Sequence, residues 1–568
     1  MSFAFLDKSA PTRNPSANRQ HRSLLTRQWD RIVAAWSTKG KPARALDPLM
    51  PTIERLDDSY LLRTDRWRSW LVTLLIGAFA FLIRLRNLGF PNYLVFDETY
   101  YAKDAYGLLR RGYEVSWPDN ANDQIKNGVV DVFKNDPAFI VHPQLGKWLI
   151  AIGEHVFGMN AFGWRFMSLV FGTLLVIATI RLARRLSRST LIGALAGFFL
   201  AVDGLSFMMS RIALLDIFEA AFTVMAVTAV VADRDWVRRK LADHLCTKQL
   251  TDLGGQFGPL LLFRPWLWTS GLLFGAAIAC KWNAMYVLAV MGVAAVVYEL
   301  RSRITAGADA SAWRALFVSG PLAFLAMVVT SVLVYVASWW SWLTTNDGWS
   351  RNWGAEHPND PVVKVFGQAL GSLWHYHQEI YNFHTGQWIA DQSHIYQSHP
   401  FQWLVMGRVI GIDAVNGLPA NTEGCTAQAG DSCLRVISGM GTPFLWWFAL
   451  AAVIAGFAYW WFGRDQRFAF PLLAASATWL MWLPNAERPL FFFYAIMLIP
   501  FNATVLAMVC GKILGPADGG RRRRIGAITV GTMVLIIVAN FWFIYPILTD
   551  QLMTRTAWSL RMWFKSWI

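Results

Sequence analysis

Apolar runs too long for a soluble core recur along this chain, separated mostly by short charged breaks and twice by long ones. About twenty apolar residues suffice to cross hydrocarbon. By that measure the pattern predicts about eleven spans, near residues 69–86, 162–181, 190–209, 212–232, 265–283, 284–300, 313–337, 443–463, 468–484, 489–511 and 525–546. The expected fold class is an all-α integral membrane protein, a bundle of about 11 transmembrane helices carrying two large loops. Five segments follow: an N-terminal tail, 1–68; helices 1 to 7 over 69–337, enclosing a first loop, 87–161; a second loop, 338–442; helices 8 to 11 over 443–546; and a C-terminal segment, 547–568. Within the first loop, Tyr101, Ala105 and Leu108 recur at helical spacing and predict a helix over Tyr100 to Arg111.

Composition sharpens this reading. The chain has 568 residues, 55% of them hydrophobic and only 16% charged, where a soluble protein carries about a quarter charged. Its net charge of +15 would suggest nucleic acid in a soluble chain. Here the cations sit in short loops and set orientation instead, so no nucleic-acid partner is expected. Arg181, Arg184, Arg185 and Arg188 form one acid-free loop and Arg521 to Arg524 another, which assigns both to the cytoplasm. The tail lacks a signal-type apolar core and reads as a partly disordered cytoplasmic segment. Parity then places both long loops outside, and neither has a basic excess: 6 Lys or Arg against 9 acids in the first, 4 against 8 in the second. The expected location is the cell membrane, with many passes, a cytoplasmic N-terminus and an extracytoplasmic active site. Cys425 and Cys433 share the second loop, and an oxidising exterior favours a disulfide between them worth about 2 to 3 kcal/mol.

Charges at the level of the membrane are costly unless they face a polar cavity. Asp97 and Glu98 stand just past the first span, with His142 and Lys147 later in the same loop. Arg165 opens the second span. Asp203, Arg211 and Asp216 surround one outer turn, Lys281 occupies another and Arg488 a third. A lone Arg at a span end usually snorkels; several on one face point to a shared cavity. Nucleotide sugars are not supplied outside the membrane, and the chain has no phosphate-cradling Gly-rich loop. An activated group there would arrive on a lipid phosphate. A carboxylate would take the proton of an attacking hydroxyl, and cations would stabilise the leaving phosphate.

The ordered set FDETYYAKDA, HPQLGKW, SRIALLD and CKWN resembles the protein O-mannosyltransferases of the C-type glycosyltransferase superfamily. The second loop, with WHYHQEIYNFHTG and SHIYQSHPFQWLVMGR, resembles their actinobacterial branch. The resemblance implies inverting transfer of mannose from polyprenyl phosphate mannose to Ser or Thr hydroxyls of exported polypeptides, with membrane lipid and the export machinery as surroundings. It implies no cofactor, since the lipid-linked sugar is a substrate. It assigns Asp97 as catalytic base with Glu98 orienting it or binding acceptor, and Arg165 to the donor phosphate, with Lys147, Arg211, Lys281 and Arg488 as further phosphate ligands. His142, Asp216, His394 and Tyr396 are supporting or acceptor-side residues. Gln144 stands where the family often has a second Pro.

The His375, His377 and His384 group invites a metal, but no third-ligand pattern accompanies it and none is expected. Two alternatives stand beside the main reading. One is transfer of a polyprenyl-phosphate-linked sugar to a glycolipid or wall glycan; the other is a solute transporter, which would place charges at the midplane and often shows an internal repeat.

Overall fold

The computed structural model describes residues 52, 56 and 61–568, apart from 422, 429, 430 and 518. The expectation for the N-terminal tail therefore lies almost wholly outside the described residues. Each of the eleven apolar runs contains helix, although only six of the described helices are both long and apolar enough to cross a membrane.

The first part of the chain forms α1 (Arg66–Leu85), α2 (Glu98–Arg111), α3 (Leu145–Phe157), α4 (Ala161–Ser187), α5 (Thr190–Ala201), α6 (Gly204–Met209) and α7 (Asp216–Lys248). It continues with α8 (Pro265–Ile278), α9 (Ala284–Thr305), α10 (Arg314–Ala323), a six-residue π-helical segment, and α11 (Thr330–Ser338). The second long loop holds α12 (Pro361–Thr385), β1 (Ile410–Leu418) and β2 (Cys433–Gly439); α13 (Pro443–Trp461), α14 (Ala469–Leu480), α15 (Ile499–Leu514) and α16 (Arg521–Leu548) follow, then β3 (Met553–Thr554).

Local chemistry explains the boundaries. The Asn160 side chain accepts from the Phe162 and Gly163 amides and so starts α4. Gly112, at φ 82°, closes α2 in the left-handed conformation that glycine adopts without strain. The expected single span over 190–209 is instead interrupted: α5 ends at Ala201, and Asp203 accepts from the Ser206 amide to begin α6. Asp203 also takes the Thr442 amide and the Trp446 indole, so this buried acid is a structural joint. Arg84 and Arg211 cover the carbonyls left open by such breaks: Arg84 donates to Leu200 and Ala201, and Arg211 to residues 84, 86 and 87.

The helix expected over Tyr100 to Arg111 is present as α2, with Tyr101, Ala105 and Leu108 all buried. A small antiparallel sheet, absent from the pattern-based expectation, runs β1-β2-β3, pairing Ile410 with Gly439 and Cys433 with Thr554. It fastens the chain after α16 to the second loop. Cys425 and Cys433 are joined beside it.

Candidate active site

Asp97 and Glu98 are adjacent, yet the start of α2 turns them in different directions. Glu98 is fully buried, and its carboxylate accepts from Arg165 Nε and Nη2, both at 2.8 Å, and from the Val95 and Ala213 amides. Arg165 completes its fork on the Leu88, Pro91 and Tyr93 carbonyls. All five guanidinium donors are thus engaged with protein, whereas the sequence expectation placed Arg165 at the donor phosphate. It latches the first loop onto α4 and holds the backbone that carries Asp97.

Lys147 is also engaged. It is buried on α3 and donates to Glu114 at 2.9 Å, with Asp104 at 3.4 Å. Gln144 binds the other Glu114 oxygen at 2.9 Å and accepts from Ser341 at 3.3 Å, bridging the two long loops where a proline would have offered neither contact. Gly146 lets α3 close on the turn after α8, since a Cβ there would lie 2.8 Å from Leu215 and 3.7 Å from Cys280. Lys147 and Arg211, expected among the phosphate ligands, thus make contacts that anchor loops.

Lys281 and Arg488 differ. Both line a cavity of about 600 Å³ together with His142, His384 and Tyr494. Its other walls include Ile278, Met285, Leu288, Val328, Val332 and Met481. One part is therefore apolar, and two cations stand in the other. Lys281 is held by Asp216 at 2.8 and 2.9 Å and lies over the Tyr494 ring. Arg488 donates to the His384 carbonyl, and its buried Nε has no partner among the described residues. His142 and His384 stack with centroids 5.3 Å apart. Burial, aided by Lys281, pushes His142 well below its ordinary value, and burial takes His384 down to about 4. Both rings are neutral near pH 7, leaving the positive charge to Lys281 and Arg488.

Asp97 adjoins this group. The neighbouring Phe96 ring packs 5.7 Å from Phe493, over which Lys281 also lies. The Asp97 carboxylate takes no hydrogen bond from the described residues. Burial raises its pKa to about 6, with Asp216 adding to the rise and Lys281 opposing it. A carboxylate so placed is suited to accept a proton near neutral pH.

His394 packs against Phe491, which touches Phe96, so it approaches Asp97 through two rings. Tyr396 lies beside His394, with its hydroxyl end against Gly411. His375 and His377 diverge: His375 stacks on Trp353, while His377 meets the Tyr335 hydroxyl at 2.6 Å. Among the described residues, no group of three or more His, Cys, Asp or Glu could hold a metal. Sequence reasoning missed Tyr494, Trp282, Tyr335 and Tyr381 as cavity residues. For Tyr494 a signal existed, since it follows Arg488 in RPLFFFY.

A profile described as dolichyl-phosphate-mannose-protein mannosyltransferase matches residues 74–242. A polyprenol-phosphate-mannose-protein mannosyltransferase of Mycolicibacterium smegmatis is 34% identical over 539 residues, covering 93% of this chain and 98% of the relative. The chain belongs to the protein mannosyltransferase family. A Mycobacterium tuberculosis protein mannosyltransferase of the same description is 34% identical over 89% of this chain and 92% of its own, and one from Corynebacterium glutamicum is 31% identical over 89% and 94%. The fold of this mannosyltransferase is similar to that of the S. cerevisiae protein O-mannosyltransferase Pmt1-Pmt2 complex bound to the sugar donor. The TM-score is 0.64 at 12% identity, covering 88% of this chain and 93% of that one. The chain is thus a multi-pass membrane glycosyltransferase.

Proposed function

We propose that this mannosyltransferase transfers mannose from polyprenyl phosphate mannose to Ser or Thr hydroxyls of exported polypeptides, with Asp97 as base. The observation that carries the assignment is a cavity with an apolar wall and a cationic head, set beside a carboxylate with no hydrogen-bond partner among the described residues. The prenyl chain lies along Ile278, Met285, Val328 and Val332, and the phosphate meets Lys281 and Arg488.

The acceptor oxygen attacks the anomeric carbon. Its proton passes to an Asp97 oxygen, and the bond from the anomeric carbon to phosphate breaks, with its electron pair leaving on the phosphate. Configuration inverts in this single displacement, which requires only one acting carboxylate. Lys281 and Arg488 stabilise the charge that develops on the leaving group. Glu98 and Arg165 act through position, by fixing the turn that presents Asp97. The step draws on no cofactor. His394 and Tyr396 are assigned to the acceptor side because the Phe491 and Phe96 rings connect them to Asp97. The basic clusters at the end of α4 and the start of α16 support a cytoplasmic N-terminus and an extracytoplasmic site. The export machinery is the natural source of unfolded acceptor there. No observation on this chain favours a glycolipid acceptor or a transporter.

The test is purified protein with polyprenyl phosphate mannose and a Ser/Thr-rich peptide, read by mass spectrometry beside Asp97→Asn. Hexose addition by the unsubstituted chain alone is expected. Equal addition by the variant would remove Asp97 from the base role.

A further inference from the structure

The small sheet has two edges of very different length: β3 has two residues and β1 has nine. On its inner side β1 pairs with β2, and no described helix or strand runs along its outer side. Apart from the pairing with β2, no β1 amide or carbonyl makes a backbone hydrogen bond to another described residue. The outer row of main-chain groups is therefore left to water or to an added strand. Natural sheets commonly blunt such an edge with Lys, Pro or a covering segment. The β1 sequence, IGIDAVNGL, has neither Lys nor Pro, and Ala414, Asn416 and Gly417 are exposed. Register shifts at Gly411/Asp413 and Val415/Leu418 bend the strand and leave Asp413 to Val415 as its regular run.

Two sets of contacts tie this strand to the turn that carries Asp97. The Tyr93 hydroxyl donates to Asp413 at 2.7 Å, and Tyr93 precedes Asp97 by four residues. The Tyr93 carbonyl also takes Arg165 at 3.1 Å, so the latch that fixes the turn fixes Tyr93 as well. At Gly411 the hydroxyl end of Tyr396 lies against the strand. From there Tyr396, His394, Phe491 and Phe96 form a row of ring contacts that ends beside Asp97. The open edge and the carboxylate thus belong to one connected group of residues.

We infer that the outer edge of β1 receives an extended polypeptide as an added strand, pairing along Asp413 to Val415, and that this polypeptide is the acceptor, whose hydroxyl lies beyond the paired residues at Asp97. Strand addition draws its affinity from main-chain hydrogen bonds, which every residue except proline can supply. Docking of this kind holds the acceptor without demanding particular side chains beside the reacting Ser or Thr. A protein mannosyltransferase needs a polypeptide next to its base, and this edge is open main chain tied to the base-bearing turn. The acceptor role rests on the function proposed above; the docking of an extended peptide does not.

The test alters the peptide and leaves the protein unchanged. The full chain in lipid nanodiscs receives polyprenyl phosphate mannose and a series of peptides, each with a single Thr and one backbone N-methyl group moved stepwise along its flanks. Successive amides of a strand point to opposite sides, so only every second one meets β1. Methylation at those positions should raise acceptor KM about threefold to tenfold, the worth of one hydrogen bond, with kcat unchanged; methylation at the positions between should change neither. A uniform effect, or none, would overturn strand addition. Hydrogen exchange gives a readout independent of transfer: the unmethylated peptide should slow exchange within residues 413–416, and no slowing would overturn the docking. Slowing that follows protein concentration rather than peptide would assign the edge to a second copy of the chain and overturn the proposal. Slowing by a peptide that then gains no hexose would overturn the acceptor role and the function it rests on, while the docking stands.

Discussion

The two ends of the same helices bury acids and cations, and treat them differently. At the far end of α4, α7 and α9, Asp235 takes Arg188 at 2.7 Å, Arg234 at 2.8 Å and Arg185 at 3.2 Å. Arg264 joins Asp233 to Glu299, which also takes Arg303 at 2.9 Å and the Ser319 hydroxyl at 2.7 Å. These carboxylates are filled by cations and hydroxyl, as a fixed joint requires. At the near end, Glu98 is filled in the same manner, but its neighbour Asp97 is not, and Lys281 and Arg488 face a cavity. Burial of charge is thus common to both ends. What distinguishes the site is hydrogen-bonding capacity left open beside a cavity lined by two cations.

The adjacent acids give the sharpest break. Asp97→Asn should lower kcat by about 10²- to 10⁴-fold, the usual share of a general base, without loss of thermal stability. Glu98→Gln should instead weaken the fold, by about 3 to 5 kcal/mol where it strands the buried Arg165 charge. Thermal unfolding in detergent, read beside turnover, separates the two. If Glu98→Gln kept its stability and lost only turnover, Glu98 would belong to the chemistry.

The second comparison sets one end against the other. Arg264→Met leaves Asp233 and Glu299 short of a cation and should cost about 3 to 5 kcal/mol, while the surviving folded protein keeps its donor KM. Arg488→Met removes one carbonyl contact and should barely move the thermal midpoint. It should raise donor KM by about tenfold to a hundredfold, the worth of one charge-assisted hydrogen bond. Equal effects of the two substitutions on donor KM would erase the distinction between the ends.

The sequence disclosed the apolar runs because hydropathy is local, and it singled out Asp97 because two acids after a span are conspicuous. It did not disclose pairing. Arg165 and Glu98 are 67 residues apart, Lys147 and Glu114 are 33 apart, and Gln144 and Ser341 are 197 apart. A cation at a span end looks the same whether it awaits a phosphate or already caps carbonyls. The cavity was hidden for a related reason: it draws its wall from α8, α9, α12 and the turn before α15, and no single element carries its signature. The break between α5 and α6 was invisible because Asp203 works through Thr442 and Trp446, both more than two hundred residues distant.

The gentlest test of the comparison is pH. Asp97 is held near 6, against an ordinary value of 3.8, by burial, which outweighs the lowering by Lys281 and is helped by Asp216. The base must be ionised, so kcat/KM should climb about tenfold per pH unit below 6 and flatten above it. His384, held near 4 by burial, adds no second limb in that range. The same shift has a consequence for folding. Since the folded carboxyl holds its proton more tightly than the unfolded one, this group's contribution to stability declines as pH rises from about 4 to about 6. Asp97→Asn carries no such penalty. It should match the unsubstituted chain in thermal midpoint at pH 4 and exceed it at pH 7, the pH at which its turnover is most impaired. An identical midpoint difference at both values would mean that the Asp97 carboxyl is solvated as an ordinary surface acid. The contrast with the filled carboxylates at the far end would then rest on the cavity alone.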